Sequence, residues 1–359
     1  DIYEGEGLKG IPRGTVKSLR LHAYEYAYVK TRSDHNWHGI QSGWDIKRML
    51  GTVPVEEDGS VIFKAPANTP ISIQPLDKDG VAIQWMRSWV TGQPGEVVSC
   101  IGCHEDQNQI AIPKRVIASQ KAPSALTLPE GGTRSFTFDL EVQPILDRAC
   151  IACHNGEGKA FDLRGGKKDD RGYGTSYLNL HPYVHRQGGE GDMVVLQPYE
   201  YHPNTSELVR LLKKGHHNVK LTDKEWKTLY NWIDYNAPDK GYFNANVLTM
   251  LPYKGFDQIK RRKELTDKYA NGAGVDWKKE IADYADYLKK QGPITPVMPE
   301  KAAPVKEKNL KVKGWPFGSD RIKEMLAKEK ETRKVVEIAP GVKVNFVRIP
   351  AGEFVMGSY

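Results

Sequence analysis

No apolar run in this 359-residue chain approaches the roughly 20 residues that a membrane-spanning helix requires, so no integral membrane segment is expected. The chain opens at Asp1 without a basic-then-apolar leader, which leads us to expect a processed or excised piece whose targeting signal lies elsewhere. The net charge of +7 comes with little clustering of basic residues, because lysines are spread along the chain and thicken only between Lys301 and Lys334. That distribution argues against nucleic acid. It reads as a solvated linker, with a basic docking face for an acidic redox partner as the second reading. Cysteine is scarce, with four in all, and no βαβ pattern surrounds them, which argues against a thioredoxin-like dithiol.

All four cysteines fall in two copies of one pentad, Cys100-Ile101-Gly102-Cys103-His104 and Cys150-Ile151-Ala152-Cys153-His154. Cys-x-x-Cys-His is the attachment pattern of a c-type haem. The two thiols bond to the porphyrin edge, and the adjacent histidine reaches the iron. Structural zinc sites space their cysteine pairs by roughly 15–20 residues, whereas these pairs lie dozens of residues apart. Neither zinc nor disulfides explain why each pair is followed by histidine. Two covalent c-type haems are therefore expected, and with them a periplasmic or otherwise extracytoplasmic location. Haem propionates would offset part of the positive charge.

Hydrophobic content of 39% and charged content of 27% suit globular cores, and the length allows two or three domains. The expected fold class is multidomain, β then α: an N-terminal β-sandwich carrying one haem, then a mainly helical cytochrome c-like domain carrying the other. Residues 1–110 form the first of these. Leu19, Leu21 and Ala23 alternate with Arg20, His22 and Tyr24, and turn signals stand at Glu57-Asp58-Gly59 and Asp77-Lys78-Asp79-Gly80. Residues 111–135 read as a connection. The helical domain covers 136–291. Val142, Ile145, Leu146 and Ala149 form a stripe running into Cys150, and Pro144 is acceptable close to a helix start. Ser206 is expected to cap a helix that Gly215 ends. Thr222 and Glu225 form a capping box, with Leu221 and Trp226 as its hydrophobic staple and Pro238 as the stop. Further helices are expected at about 256–270 and 276–290. Residues 292–334 read as a proline-rich, lysine-rich linker with a short helix, and 335–359 as the truncated start of another domain.

Each iron has two axial positions, and His104 and His154 are the expected proximal ligands. For the second haem the distal candidates are His216, His217, His181, His185, His202 and Met193. The Gly215-His216-His217 turn is favoured because two well-signalled helices fix it, and Met193 is next. For the first haem the candidates are His35, His38 and Met86, with the histidines preferred because Met86, between Trp85 and Trp89, suits packing. His22, on a strand among tyrosines, reads as structural.

The run Trp44–Arg48, Leu50–Glu56, Pro66–Pro70 and Met86–Trp89, ending in the first pentad, resembles the middle region of the hydrazine synthase alpha subunit and its relatives. Gln143–Leu146 with the second pentad resembles a planctomycete-type cytochrome c domain. Lys214–Leu221 and Trp232–Asp234 fit the same relatives, so the resemblance covers roughly residues 8–243. It implies that the first haem is the catalytic one, with a tyrosine shortly after the motif on the iron and the motif histidine turned toward zinc. Here Glu105, Asp106, Gln107 and Asn108 follow His104, with no tyrosine, which favours plain ligation by His104. The tail Val347–Ser358 looks like the opening of a formylglycine-generating, sulfatase-modifying-factor type domain.

Three functions follow from this reading. The first is a dihaem electron-transfer module serving a redox partner protein or a fused enzyme domain. The second is a hydrazine synthase-like redox enzyme acting on a small nitrogen or oxygen species at an open first haem. The third is a scaffold or sensor of a formylglycine-type enzyme.

Overall fold

The computed structural model describes residues 1–25, 38–40, 46–104, 108, 114–158, 160–188, 195–241, 258–269, 276–300, 318–328, 333–339 and 341–347. The chain divides into two compact units, Asp1–Lys301 and Ala302–Tyr359. An N-terminal sheet region is followed by helices, a mixed α/β architecture.

The first unit opens on strands β1 (Ser18–Glu25), β2 (Ile46–Pro54) and β3 (Ile71–Leu76), joined later by the two-residue β4 (Arg134–Ser135). All pairings are antiparallel, in the order β3-β1-β2-β4. Among the described residues of this unit the expected sandwich is therefore one four-stranded sheet. The runs at Val61–Phe63 and Val81–Ile83 contribute only isolated bridges, Phe63 with Ser124 and Ala82 with Leu76.

The period-2 pattern of β1 holds, with a twist in what covers each face. Leu19, Leu21 and Ala23 are buried with Ile2, Leu8, Val16, Val53, Ile71 and Ile83. The alternate residues Arg20, His22 and Tyr24 are buried as well, where a half-exposed sheet would leave them wet. Helices cover that second face. The His22 ring stands edge-on to Tyr235, their centres 4.7 Å apart.

The helices are α1 (Phe138–Glu141), α2 (Gln143–Ala149), α3 (Thr175–Leu180), α4 (Glu207–Lys213), α5 (Asp223–Asp234), α6 (Gln258–Tyr269) and α7 (Trp277–Lys290). Pro144 sits in the first turn of α2, where its missing N–H costs nothing. Val142, Ile145, Leu146 and Ala149 are buried with Phe138, Tyr177, Leu229, Trp232 and Ile233. The Thr222 capping box is formed: the Glu225 N–H donates to Oγ1 at 3.3 Å, and Oε2 of Glu225 accepts from the Thr222 N–H at 2.7 Å. Such a cap contributes about 1 kcal/mol. Ser206 begins α4 as expected, but its Oγ accepts from the His185 N–H at 3.0 Å instead of capping.

Two buried ion pairs tie sheet to helices. Arg20 on β1 donates to Oδ2 of Asp234 at the end of α5 (2.9 Å), to Asn231 Oδ1 (2.6 Å), to Gln74 Oε1 (3.0 Å) and to the Gly80 carbonyl (2.8 Å). Arg134 pairs with Glu141 at 2.7 Å, and its guanidinium lies 3.5 Å from the Tyr284 ring centre. The Tyr284 hydroxyl donates to Glu141 at 2.9 Å, and Arg48 on β2 pairs with Glu280 at 2.6 Å, which docks α7.

Burial, reinforced by Arg20 and Lys47, holds His22 well below its usual 6.5. Burial with Lys47 and Lys240 pulls His38 down to about 3. The folded chain therefore refuses protons that the unfolded chain accepts near 6.5. For His38 stability is complete above that pH and falls as pH drops toward 3, by about 1.4 kcal/mol per pH unit, and His22 acts in the same direction. Urea unfolding at pH 7 and pH 5 checks this, and His38→Gln should flatten the dependence.

In the second unit, helix α8 (Ser319–Ala327) precedes an antiparallel hairpin of β5 (Arg333–Ala339) and β6 (Val342–Val347), turning at Gly341. All of the Val347–Ser358 tail except Val347 lies outside the described residues. Among the described residues no helix is long and apolar enough to cross a membrane.

Candidate functional site

Helix α2 delivers the second pentad. Its buried stripe fixes the helix against the core, and Cys150 is the C-terminal cap, its N–H donating to the Leu146 carbonyl at 2.8 Å. The chain then tightens: the N–H groups of Cys153 and His154 both donate to the Cys150 carbonyl, at 3.1 and 2.9 Å. That turn sets Cys153 outward and carries His154 one turn beyond Cys150. His154 Nδ1 lies 3.1 Å from the Phe161 carbonyl oxygen. A carbonyl can only accept, so the Nδ1 proton points there and Nε2 keeps its lone pair for a metal. Phe161 also packs on the ring, with centres 4.7 Å apart.

The loop after α4 supplies the partner. Gly215 ends the helix at φ +96°, and the next residues form one tight turn, His216–Asn218. His216 is half-buried, and its ring centre lies 6.0 Å from that of His154. Two imidazoles on opposite sides of one metal, each bonded at about 2 Å, place their ring centres about 6 Å apart. Burial and the neighbouring His217 and His154 lower the His216 pKa, which keeps its lone pair free. His217 is exposed at φ +45°. Of the two adjacent histidines, His216 is the one brought to the motif.

The other second-site candidates lie elsewhere. The His181 Nε2 accepts from the Arg186 guanidinium, and burial with that charge lowers its pKa to about 4. His185 pairs with the Thr205 hydroxyl at 2.8 Å, and His202 Nδ1 accepts from the Asn204 N–H at 3.2 Å. Met193 lies outside the described residues.

The first pentad follows irregular chain, not a strand, and rests on the N-terminal segment. The Cys103 N–H donates to the Ile2 carbonyl at 3.3 Å, while the Cys103 and His104 carbonyls accept from Gly7 (2.9 Å) and Glu6 (3.1 Å). Cys103 packs on the sheet core. Cys100 and His104 are exposed. The chain just before it is apolar and exposed: Val97 is 89% exposed and Val98 46%. Gly102 is required here. Its φ is +86°, and a Cβ would overlap the Glu4 carbonyl oxygen. Gly102→Ala should therefore cost about 1–3 kcal/mol in backbone strain and lift residues 1–7 from the motif. Faster proteolysis of the N-terminus is the measurement.

His38 is buried, but its carbonyl accepts from the Asp239 and Lys240 N–H groups, at 2.6 and 2.8 Å, and its ring lines a small cavity with Lys47, Phe136, Tyr235 and Lys240. This sets it between β2 and the chain that follows α5, whereas the neighbours found for the first pentad are residues 2–7 and the sheet core. Met86 is half-buried, with its carbonyl accepting from Ser72 Oγ at 2.6 Å. His35 and Glu105–Gln107 lie outside the described residues.

A covalent haem fits the residues present. All four thiols are free. Burial raises Cys103 to about 11 and Cys150 to about 12, so neither stands as a thiolate in the folded chain. No group of three or more His, Cys, Asp or Glu suited to a metal occurs among the described residues. The Phe161 carbonyl and the His154–His216 spacing escaped sequence reasoning, since nothing in a loop's composition reports which carbonyl turns inward.

Residues 14–105, a span that includes the first pentad, match the model of the hydrazine synthase alpha subunit middle domain. No curated protein matches the chain. Among solved structures, it is similar to Kuenenia stuttgartiensis hydrazine synthase, with a TM-score of 0.50 and 18% identity over 65% of this chain. The similarity spans 40% of that protein's chain. The chain is thus hydrazine synthase alpha-like in residues 14–105 and shares a fold with that enzyme over a larger part of its length.

Proposed function

We propose that this chain is a hydrazine synthase-like, extracytoplasmic redox protein carrying two covalent c-type haems, one acting on a small nitrogen or oxygen species and the other passing electrons. The observation that carries the reading is the match of residues 14–105, which ends one residue past His104. Bound haem supplies one-electron exchange and an iron that takes small ligands. Cys100 and Cys103 would tether the first haem, with His104 as its axial ligand. The exposed Val97 and Val98, just before Cys100, would offer it apolar contact. Cys150 and Cys153 would tether the second, with His154 and His216 on its two sides. A partner protein, or a further domain of a longer chain, would supply or drain the electrons.

A purely electron-transferring dihaem module is the second reading, motivated by the lack of a tyrosine at 105–108 after His104, which favours plain ligation of the first haem as well. A carbon monoxide titration of the reduced protein separates the two. One carbon monoxide per chain supports an open first haem, and none supports the electron-transfer module. No haem absorption at all after expression with haem-attachment machinery would refute both.

A further inference from the structure

We infer that Arg148 is the positioning residue of the second site: it fixes the separation of His154 and His216 by clamping the end of α2 to the chain that follows His216. The inference rests on the reading that these two histidines share one metal.

The loop bearing His216 is poorly self-supporting. Its own backbone bonds are the Val219 N–H to the His216 carbonyl at 2.9 Å and the Asn218 N–H to the Gly215 carbonyl at 3.2 Å. His217 and Asn218 stand at φ +45° and +62°, two successive non-glycine residues in the left-handed region. Such residues persist only where the surroundings over-determine them. Those surroundings converge on Arg148, two residues before Cys150. Its Nη2 donates to the Lys220 carbonyl at 3.0 Å and to Glu225 Oε2 at 2.5 Å, and its Nε also donates to Glu225. Lys220 lies four residues after His216, and Glu225 is the partner of Thr222 in the capping box of α5. One guanidinium thus holds both the exit of the histidine loop and the helix it enters. The fork geometry matters, since a lysine cannot make the bidentate pair and the carbonyl bond together.

Arg148 is itself held from the other side. Its carbonyl accepts from the Val297 N–H at 2.7 Å, and Asn218 Nδ2 donates to the Glu300 carbonyl at 3.1 Å. Residues 297–300 therefore bridge the α2 end and the histidine loop a second time. The contacts form a closed ring through the α2 end, residues 297–300 and the chain from Asn218 to Glu225, with Arg148 as its shared member.

The test is spectroscopic, on the full haem-loaded chain, with thermal melting followed alongside. Arg148→Ala should raise the high-spin, carbon monoxide-reactive population of the second haem about ten-fold or more, the usual scale for losing an outer-shell support. Arg148→Lys should fall between the two. Glu225→Gln keeps the cap and the side-chain shape, removes the ion pair, and should move the spin state in the same direction. It carries the test should Arg148→Ala fail to accumulate. A merely structural arginine would lower the melting temperature and leave the spin state and carbon monoxide uptake unchanged in both variants, and that result overturns the inference. If the unmodified protein already lacks a low-spin second haem, the shared-metal reading fails instead.

Discussion

Asp234→Ala should destabilise the first unit by about 3–5 kcal/mol, the scale for removing one partner of a buried ion pair. Arg20 has a side chain only 7% exposed and Asp234 is fully buried, so no water can replace the lost carboxylate. Asp234 also accepts from the Ala82 N–H at 3.0 Å, and its backbone carbonyl accepts from Gln74 Nε2 at 2.7 Å. The pair sits where β1, β3 and α5 meet, so the loss is not confined to one element. Asparagine at 234 should cost less, because it keeps an acceptor for Ala82. Replacing both partners together by apolar residues of similar volume should recover most of the stability, since a buried pair is costly to break and nearly neutral to remove whole. Urea unfolding followed by tryptophan fluorescence measures all three. A loss under about 1 kcal/mol for Asp234→Ala would mean that water reaches Arg20.

His216→Ala should open the second site. If His154 and His216 flank one iron, removing the second imidazole leaves five-coordinate, high-spin iron, and carbon monoxide uptake rises by one equivalent per chain. His217→Ala should leave uptake unchanged, because His217 is turned to solvent and only His216 comes within 6.0 Å of His154. Electron paramagnetic resonance of the oxidised protein should show the matching loss of one low-spin signal. The reverse pattern, with His217→Ala opening the site, would exchange the roles of the two histidines.

Local signals were read well from sequence wherever one segment decides its own structure. The Thr222–Glu225 box, the stop at Gly215 and the stripe running into Cys150 all depend on residues within a turn or two of each other, and each is found as expected. Long-range pairings were not legible. Arg20 stands in an alternating pattern that fits a wet face, and its partners Asn231 and Asp234 on α5 lie more than 200 positions away. Among the described residues one sheet stands where a sandwich was expected, for a related reason: Val61–Phe63 and Val81–Ile83 have strand-like composition, but pairing partners decide whether a short apolar run becomes a strand. At the candidate site, both pentads were plain. The choice of His216 over His217 turns on one left-handed residue that composition does not reveal. Arg148 was invisible as anything but a charge at a helix end, since its partners lie more than 70 positions away.

The proposed function depends on two haems being bonded through Cys100–Cys103 and Cys150–Cys153. The direct measurement is the intact mass of the denatured protein, with a pyridine haemochrome count on the same sample. The account predicts the chain plus two haems, falling to one when Cys150 and Cys153 are both replaced by serine. A mass equal to the bare polypeptide, from protein made in cells with working haem-attachment machinery, would contradict it.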